Sequence, residues 1–198
     1  MFPVHVIEGL SVRYGVFRTL YRLIAPIYGP PRPWYYFGED LFLGAINPGE
    51  SVLELGSGTG FMTRRVGEKA GECVGLELEQ AMVERAVRKG GATRYVRGMM
   101  ESIPFKRGSF AKCISLGALH CADPEVVAAV VSHVLKDDGE CLLLTEARII
   151  PRFVPHSGPV WIKHALTRQG FDVCEEERVG RFYVWIRARK QRTARLEG

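Results

Sequence analysis

Apolar residues in this chain fall into short continuous runs, separated by stretches with helical spacing. Val52, Leu53 and Leu55 form the first run, which stops at three glycines in alternating positions, Gly56, Gly58 and Gly60. The pattern predicts a strand, a tight turn and a helix over 61–70, because glycine admits positive φ and close backbone approach. A second strand follows through Val74, Leu76 and Leu78, within 71–79. Met82, Val83, Ala86 and Val87 recur at helical spacing, which predicts a helix ended by Gly90 and Gly91. Further strands are predicted at 93–98 and 110–116. Asp123, Pro124 and Glu125 then open a helix: an acceptor side chain at the cap, a preset φ, and an acid at the positive end of the dipole. The "KDDGE" stretch at 136–140 reads as a turn, and the unbroken apolar run at 141–147 as a central strand buried on both faces.

Strand and helix thus alternate four times, which predicts an open parallel sheet with helices on both faces. Ligands of such sheets bind beyond the carboxyl ends of the strands. The loops at 56–60, 77–79, 98–101 and 117–123 each follow a strand and would converge there. The last part of the chain behaves differently. Residues 158–170 predict a helix closed by Gly170, and two strand-like runs follow, joined only by Gly180 and its neighbours. So short a gap permits an antiparallel hairpin and excludes a crossover helix.

Composition changes this picture little. The chain has 198 residues, 46% of them hydrophobic and 25% charged, which fits one globular domain able to bury its own core. No stretch has the roughly 18 uncharged apolar residues of a membrane span. Pro3, His5 and Glu8 interrupt the N-terminus, so a secretory leader is not expected. The five cysteines are odd in number and never in C-x-x-C. Cys73, Cys113, Cys141 and Cys174 lie in strand-like runs and are expected to be buried, reduced thiols, which points to the cytoplasm and away from a metal centre. The net charge of +5 is concentrated near the C-terminus, at Arg187, Arg189, Lys190, Arg192 and Arg195. Such a run reads as a solvated tail, and a nucleic-acid partner is not expected.

The glycine turn offers bare N–H groups and a helix start to a ligand. A P-loop needs G-x-x-x-x-G-K-[ST], and no such lysine follows. A dinucleotide turn needs G-x-G-x-x-G, whereas here the spacing is G-x-G-x-G and Phe61 holds the third position. Glu77, at the carboxyl end of the second strand, is placed to accept hydrogen bonds from both hydroxyls of a ribose.

Taken together, "VLELGSGTG", "GLELEQAMVERA", the stretch 101–147 and the terminal hairpin resemble the class I S-adenosylmethionine-dependent methyltransferases. The similarity is to the group of ubiquinone and menaquinone C-methyltransferases and small-molecule enzymes, and it covers about residues 21–146. It implies a doubly wound α/β fold with a mostly parallel, seven-stranded Rossmann-like sheet in the order 3-2-1-4-5-7-6, closed by an antiparallel hairpin. It implies S-adenosyl-L-methionine as cofactor and S-adenosyl-L-homocysteine as product. Glu54, Gly56, Ser57 and Gly58 would border the methionine moiety, with Glu54 near its ammonium group. Glu77 would take the ribose, Leu78 would pack on the adenine, and Met99, Met100 and Glu101 would lie at the adenine edge. Met99 stands where the family usually places an aspartate. Leu116 and Gly117 would lie beside the sulfonium, and Tyr28 would close over the cofactor.

The function this implies is in-line methyl transfer to a small-molecule acceptor. His120 is the candidate general base, and His156 and His164 border the acceptor side without a role tied to them. Residues 1–40 are expected to form a lid, with aromatic residues suggesting an apolar or aromatic acceptor; 41–189 form the core and 190–198 a basic tail. The stretch 29–40 reads as a stiff connector. An RNA or protein methyltransferase and a non-catalytic cofactor-binding protein are the alternatives. Oligomeric state is not legible.

Overall fold

The computed structural model describes residues 33–91, 93–147 and 158–192, together with 19, 22 and 23, and gives the backbone alone for 33–37 and 121. Tyr28, His156 and most of the expected lid lie outside the described residues. The elements in chain order are α1 (Pro33–Ala45), β1 (Ser51–Leu55), α2 (Phe61–Gly67), β2 (Glu72–Glu77), α3 (Gln80–Arg88), β3 (Arg94–Arg97) and β4 (Phe110–Leu116). A 3₁₀ turn (Leu119–Cys121), α4 (Pro124–Val134), β5 (Leu135–Glu146), α5 (Pro159–Arg168), β6 (Phe171–Val179) and β7 (Tyr183–Lys190) complete them.

Side chains alternate across a strand, so an unbroken apolar run is stable only when both faces of the sheet are covered. On β5, Cys141 and Leu143 enter one core while Leu142 and Leu144 enter the other. On β1, Leu53 and Leu55 share the first core and Val52 the second. The first is capped by Val127, Ala128 and Val131 of α4 and Ile162, Ala165 and Leu166 of α5. The second is capped by Phe42 of α1 and Met62 and Val66 of α2. Each fully buried leucine contributes about 1.5–3 kcal/mol.

Among the described residues, seven strands form one sheet in the order β3-β2-β1-β4-β5-β7-β6. The pairs from β3 to β5 are parallel, whereas β5–β7 and β6–β7 are antiparallel. The doubly wound sheet and its closing hairpin are therefore as the sequence implied. The start of α4 is also as expected: Asp123 Oδ1 accepts from the N–H groups of Glu125 and Val126, at 2.9 and 3.3 Å.

Several local expectations are corrected. The connector expected at 29–40 is helical from Pro33, since proline suits a first turn and Gly38 lets α1 lie directly on β5. A Cβ at Gly38 would stand 2.4 Å from Leu144 Cδ2. Four residues on, Phe42 meets Trp185 edge to face, with centroids 5.0 Å apart. The turn at 136–140 does not separate a helix from a strand but bulges within β5. There β4 advances only from Phe110 to Lys112 while β5 runs from Leu135 to Glu140. Asp138 has a φ of 61°. The helix after the glycine turn ends at Gly67 rather than at residue 70.

Cys73, Cys113 and Cys141 are buried, but Cys174 is exposed, because β6 is an edge strand with most of its residues in solvent. The basic run is not a loose tail up to residue 192. Arg187 and Arg189 both bond Glu140 at 2.9 Å, and Lys190 Nζ donates to the carbonyls of Ser132 and Leu135. Arg192 pairs with Asp138 at 2.6 Å.

Candidate functional site

The parallel strands end together on one edge of the sheet, and the chain turns there at residues that share few side-chain atoms. After β1, Gly56, Gly58 and Gly60 all have positive φ, at 73°, 53° and 73°. The N–H groups of Gly56 and Ser57 both donate to the Leu76 carbonyl, at 2.9 and 3.0 Å, which ties the turn to β2. A Cβ on Gly56 would stand 2.3 Å from Ala118 Cβ and 3.7 Å from Met100 Cε. The loops after β1, β3 and β4 therefore meet at this one position, where only glycine fits.

Two carboxylates flank the turn. Glu77, at the end of β2, accepts from Gly58 N–H at 2.8 Å and from Glu79 N–H at 2.9 Å. Burial raises its pKa above the usual carboxylate value even though these N–H groups favour the ionised form. Glu54, on β1, is 2% exposed and accepts a short hydrogen bond from the Thr63 hydroxyl of α2. Burial pushes its pKa to about 7, opposed by Thr63 and assisted by the charge of Glu77. Ser57 Oγ is buried with no hydrogen-bond partner among the described residues.

The remaining expected residues lie along the same edge. Leu78 is half-buried directly after β2, and its carbonyl accepts from Arg97 Nε at 3.3 Å. Met99 follows β3 with its side chain 37% exposed, while Met100 and Glu101 are half-buried. Leu116 closes β4, and Gly117 N–H donates to the Leu144 carbonyl at 2.8 Å. His120 lies in the 3₁₀ turn with its Nδ1 3.4 Å from Glu146 Oε1. His164 is exposed on α5.

Two residues were missed from the sequence. Thr63, the partner of Glu54, looks like any first-turn threonine, and nothing local marks it. Glu146 carried a signal, a lone acid ending an apolar run, as Glu77 ends β2. Its pKa is held below the usual carboxylate value: burial raises it, but His120 and a backbone N–H together outweigh that.

Beside this pair a cleft is lined by Leu119, Pro124, Val127, Thr145, Gly158 and Ile162. Among the described residues, no group of three or more His, Cys, Asp or Glu is arranged to hold a metal ion. No helix among them is long and apolar enough to cross a membrane. The glycine turn does not present the bare N–H groups expected from the sequence, since those of Gly56, Ser57, Gly58 and Gly60 are bonded within the fold. A buried and a half-buried carboxylate with an unsatisfied hydroxyl suit a ligand that brings a cation and vicinal hydroxyl donors.

Comparison with known proteins points the same way. A family model described as "Methyltransferase domain" matches residues 53–143. The ubiquinone/menaquinone biosynthesis C-methyltransferase of Wigglesworthia glossinidia brevipalpis is 25% identical over 140 residues, covering 66% of this chain and 56% of that protein. The malonyl-[acyl-carrier protein] O-methyltransferase of Serratia marcescens is 30% identical over 112 residues, covering 56% of this chain and 44% of that one. The chain thus spans about half the length of these two curated relatives. The solved structure of an S-adenosylmethionine-dependent methyltransferase from Aquifex aeolicus matches with a TM-score of 0.70 at 19% identity, covering 85% of this chain and 97% of that one. The matched domain and the sheet order with its terminal hairpin agree: the chain is similar to the class I S-adenosylmethionine-dependent methyltransferases, with the methyltransferase-domain match lying across the core that carries the glycine turn.

Proposed function

We propose that the protein transfers a methyl group from S-adenosylmethionine to a small-molecule acceptor. The observation that carries this is the arrangement around the glycine turn, with Glu77 clamped by Gly58 and Glu79, and Glu54 buried beside Thr63. Glu54 would pair with the cofactor's ammonium group, with Gly56, Ser57 and Gly58 lining its methionine moiety. The Glu77 carboxylate, already oriented by two N–H groups, would accept from the ribose hydroxyls. Leu78 would pack on the adenine, with Met99, Met100 and Glu101 at its edge. Leu116 and Gly117 would lie nearest the reacting centre, and Tyr28 would cover it.

When bound, the cofactor supplies an activated methyl group, so the chain's task is to align an acceptor in line with it and to exclude water. The cleft lined by Leu119, Pro124, Val127, Thr145, Gly158 and Ile162 offers the acceptor side both apolar side chains and polar surface. The relative from Wigglesworthia glossinidia brevipalpis supports a small molecule, since its name gives C-methylation in ubiquinone and menaquinone biosynthesis. Nucleic acid is disfavoured because Arg187, Arg189 and Arg192 are already ion-paired to Glu140 and Asp138. The buried free thiols at 73, 113 and 141 fit a reducing compartment, the cytoplasm.

Thermal unfolding with S-adenosylmethionine, S-adenosylhomocysteine or NAD tests this. The first two should raise Tm by several degrees at a hundredfold excess over Kd, where stabilisation is about 2.7 kcal/mol, and NAD should not. No shift at millimolar S-adenosylhomocysteine sinks the cofactor assignment.

A further inference from the structure

Two cations meet beside the glycine turn, and their hydrogen bonds among the described residues all go to neutral oxygens. Arg64, on α2, donates from Nη1 to the Thr59 carbonyl at 3.0 Å and to the Tyr95 hydroxyl at 3.5 Å. Lys89, directly after α3, donates from Nζ to Thr59 Oγ1 at 3.1 Å. Both charges thus converge on one uncharged residue. Arg85 stands one turn before Lys89 on α3, and like charges at that spacing repel. Burial and the charges of Arg64 and Arg85 hold the Lys89 pKa below its ordinary value. The carboxylate that feels Arg64 is Glu54, which is buried and already bonded to Thr63. Beside these cations lies a hydroxyl with nothing to bond: Thr93 Oγ1 is buried and has no hydrogen-bond partner among the described residues. The space over Gly91 joins it to Arg64. A Cβ there would stand 3.2 Å from Arg64 Cγ and 3.8 Å from Thr93 Oγ1. Gly91 is exposed, so this space opens to solvent.

We propose that Arg64, Lys89 and Thr93 form a site for a phosphate dianion, either free or at the end of a monoester, built from residues that none of the cofactor roles uses. This goes beyond the methyl-transfer reading and does not depend on it. An anion here would relieve the repulsion among the cations and give the Thr93 hydroxyl an acceptor. A tetrahedral dianion matches two positive charges and has oxygens for a guanidinium, an ammonium and a hydroxyl at once. A carboxylate brings one charge and two oxygens in a plane, and a phosphodiester also brings one charge, so either would leave a cation unmatched. The donors are at hand. Among the described residues Arg64 bonds only through Nη1, which leaves Nη2 and Nε for a forked contact. Lys89 is exposed and uses one of its three N–H groups on Thr59.

The test uses the full chain at constant ionic strength, with inorganic phosphate, methyl phosphate and dimethyl phosphate as probes and phosphorus NMR line broadening as the readout. Working at about pH 7.5 keeps the monoester a dianion, since its second pKa is about 6. Inorganic phosphate should bind the wild type, with affinity falling about tenfold in Lys89→Gln and Arg64→Gln and about threefold in Thr93→Val. Arg88→Gln removes an exposed charge next to Lys89 in the chain and should change affinity by less than about twofold. Lys89 is exposed, so its variant keeps the fold and decides the matter if Arg64→Gln loosens the turn. Equal weakening in Arg88→Gln and Lys89→Gln would mean diffuse attraction to a basic surface and overturns the site. So does a wild type that broadens no signal at millimolar phosphate. Dimethyl phosphate bound as tightly as methyl phosphate overturns the dianion and points to a nucleic-acid backbone. Within a site that passes, methyl phosphate bound as well as inorganic phosphate identifies a monoester ligand, and binding of inorganic phosphate alone identifies the free ion.

Discussion

Replacing Glu54 by glutamine should stabilise the ligand-free protein at alkaline pH. Glu54 is 2% exposed, and its pKa in the fold is about 7, against an ordinary value of 4.5. A group with a raised pKa contributes most below its unfolded value, and that contribution is lost as the pH rises through the folded value. Wild-type stability should therefore fall between about pH 5 and pH 8, because the folded state must either hold a proton or bury a charge. A shift of about 2.5 units corresponds to about 3 kcal/mol in full, most of it expressed within that window. The glutamine variant carries no titrating group there, and its amide oxygen still accepts from the Thr63 hydroxyl. Urea unfolding of both proteins at pH 5, 6, 7 and 8 gives the comparison. The variant should gain on the wild type by about 2 kcal/mol or more across the series. Saturating S-adenosylhomocysteine should reverse the order, since the ligand's ammonium group would neutralise Glu54 in the wild type alone. Parallel pH profiles for the two ligand-free proteins would refute the reasoning, because Glu54 would then carry its charge in the fold without cost.

Three further outcomes follow from the geometry. Glu77→Ala should abolish the thermal shift from S-adenosylhomocysteine, since it removes the acceptor that Gly58 and Glu79 orient; a shift of wild-type size would exclude the ribose role. Gly56→Ala should lower stability by about 1–3 kcal/mol in denaturant unfolding, because φ is 73° and the new methyl group would stand 2.3 Å from Ala118 Cβ. Glu140→Gln should cost about 2 kcal/mol at pH 7, because it removes the 2.5 Å partner of the buried Lys112 and leaves it only Glu50, at 3.5 Å. Glu140 is drawn down to about 2 by Lys112, Arg189 and Arg187 against the opposing effect of burial, so its contribution is lost as pH falls from about 4.5 toward 2, and the variant should lack that acid-sensitive component.

The amino-acid sequence by itself determined the elements whose cause is local. The apolar runs of β1, β4 and β5, the helical spacing of α3, the Asp123–Pro124 cap and the short Gly180 connection each act over a few residues. The glycine turn and Glu77 were legible for the same reason, since both lie at a strand end that the run itself marks. Where packing overrode local signals, legibility failed. The proline-rich approach to α1 became helix once Gly38 could seat it on Leu144, and Cys174 was exposed because β6 takes the edge of the sheet. Only the tertiary structure decided which polar groups meet. Thr63 reaches Glu54 from a helix that returns over β1, His120 meets Glu146 across two parallel strands, and Glu140 gathers Lys112, Arg187 and Arg189 from β4 and β7. These pairings depend on strand order and register, which arise from burying both faces of the whole sheet and leave no trace in the spacing of any one segment.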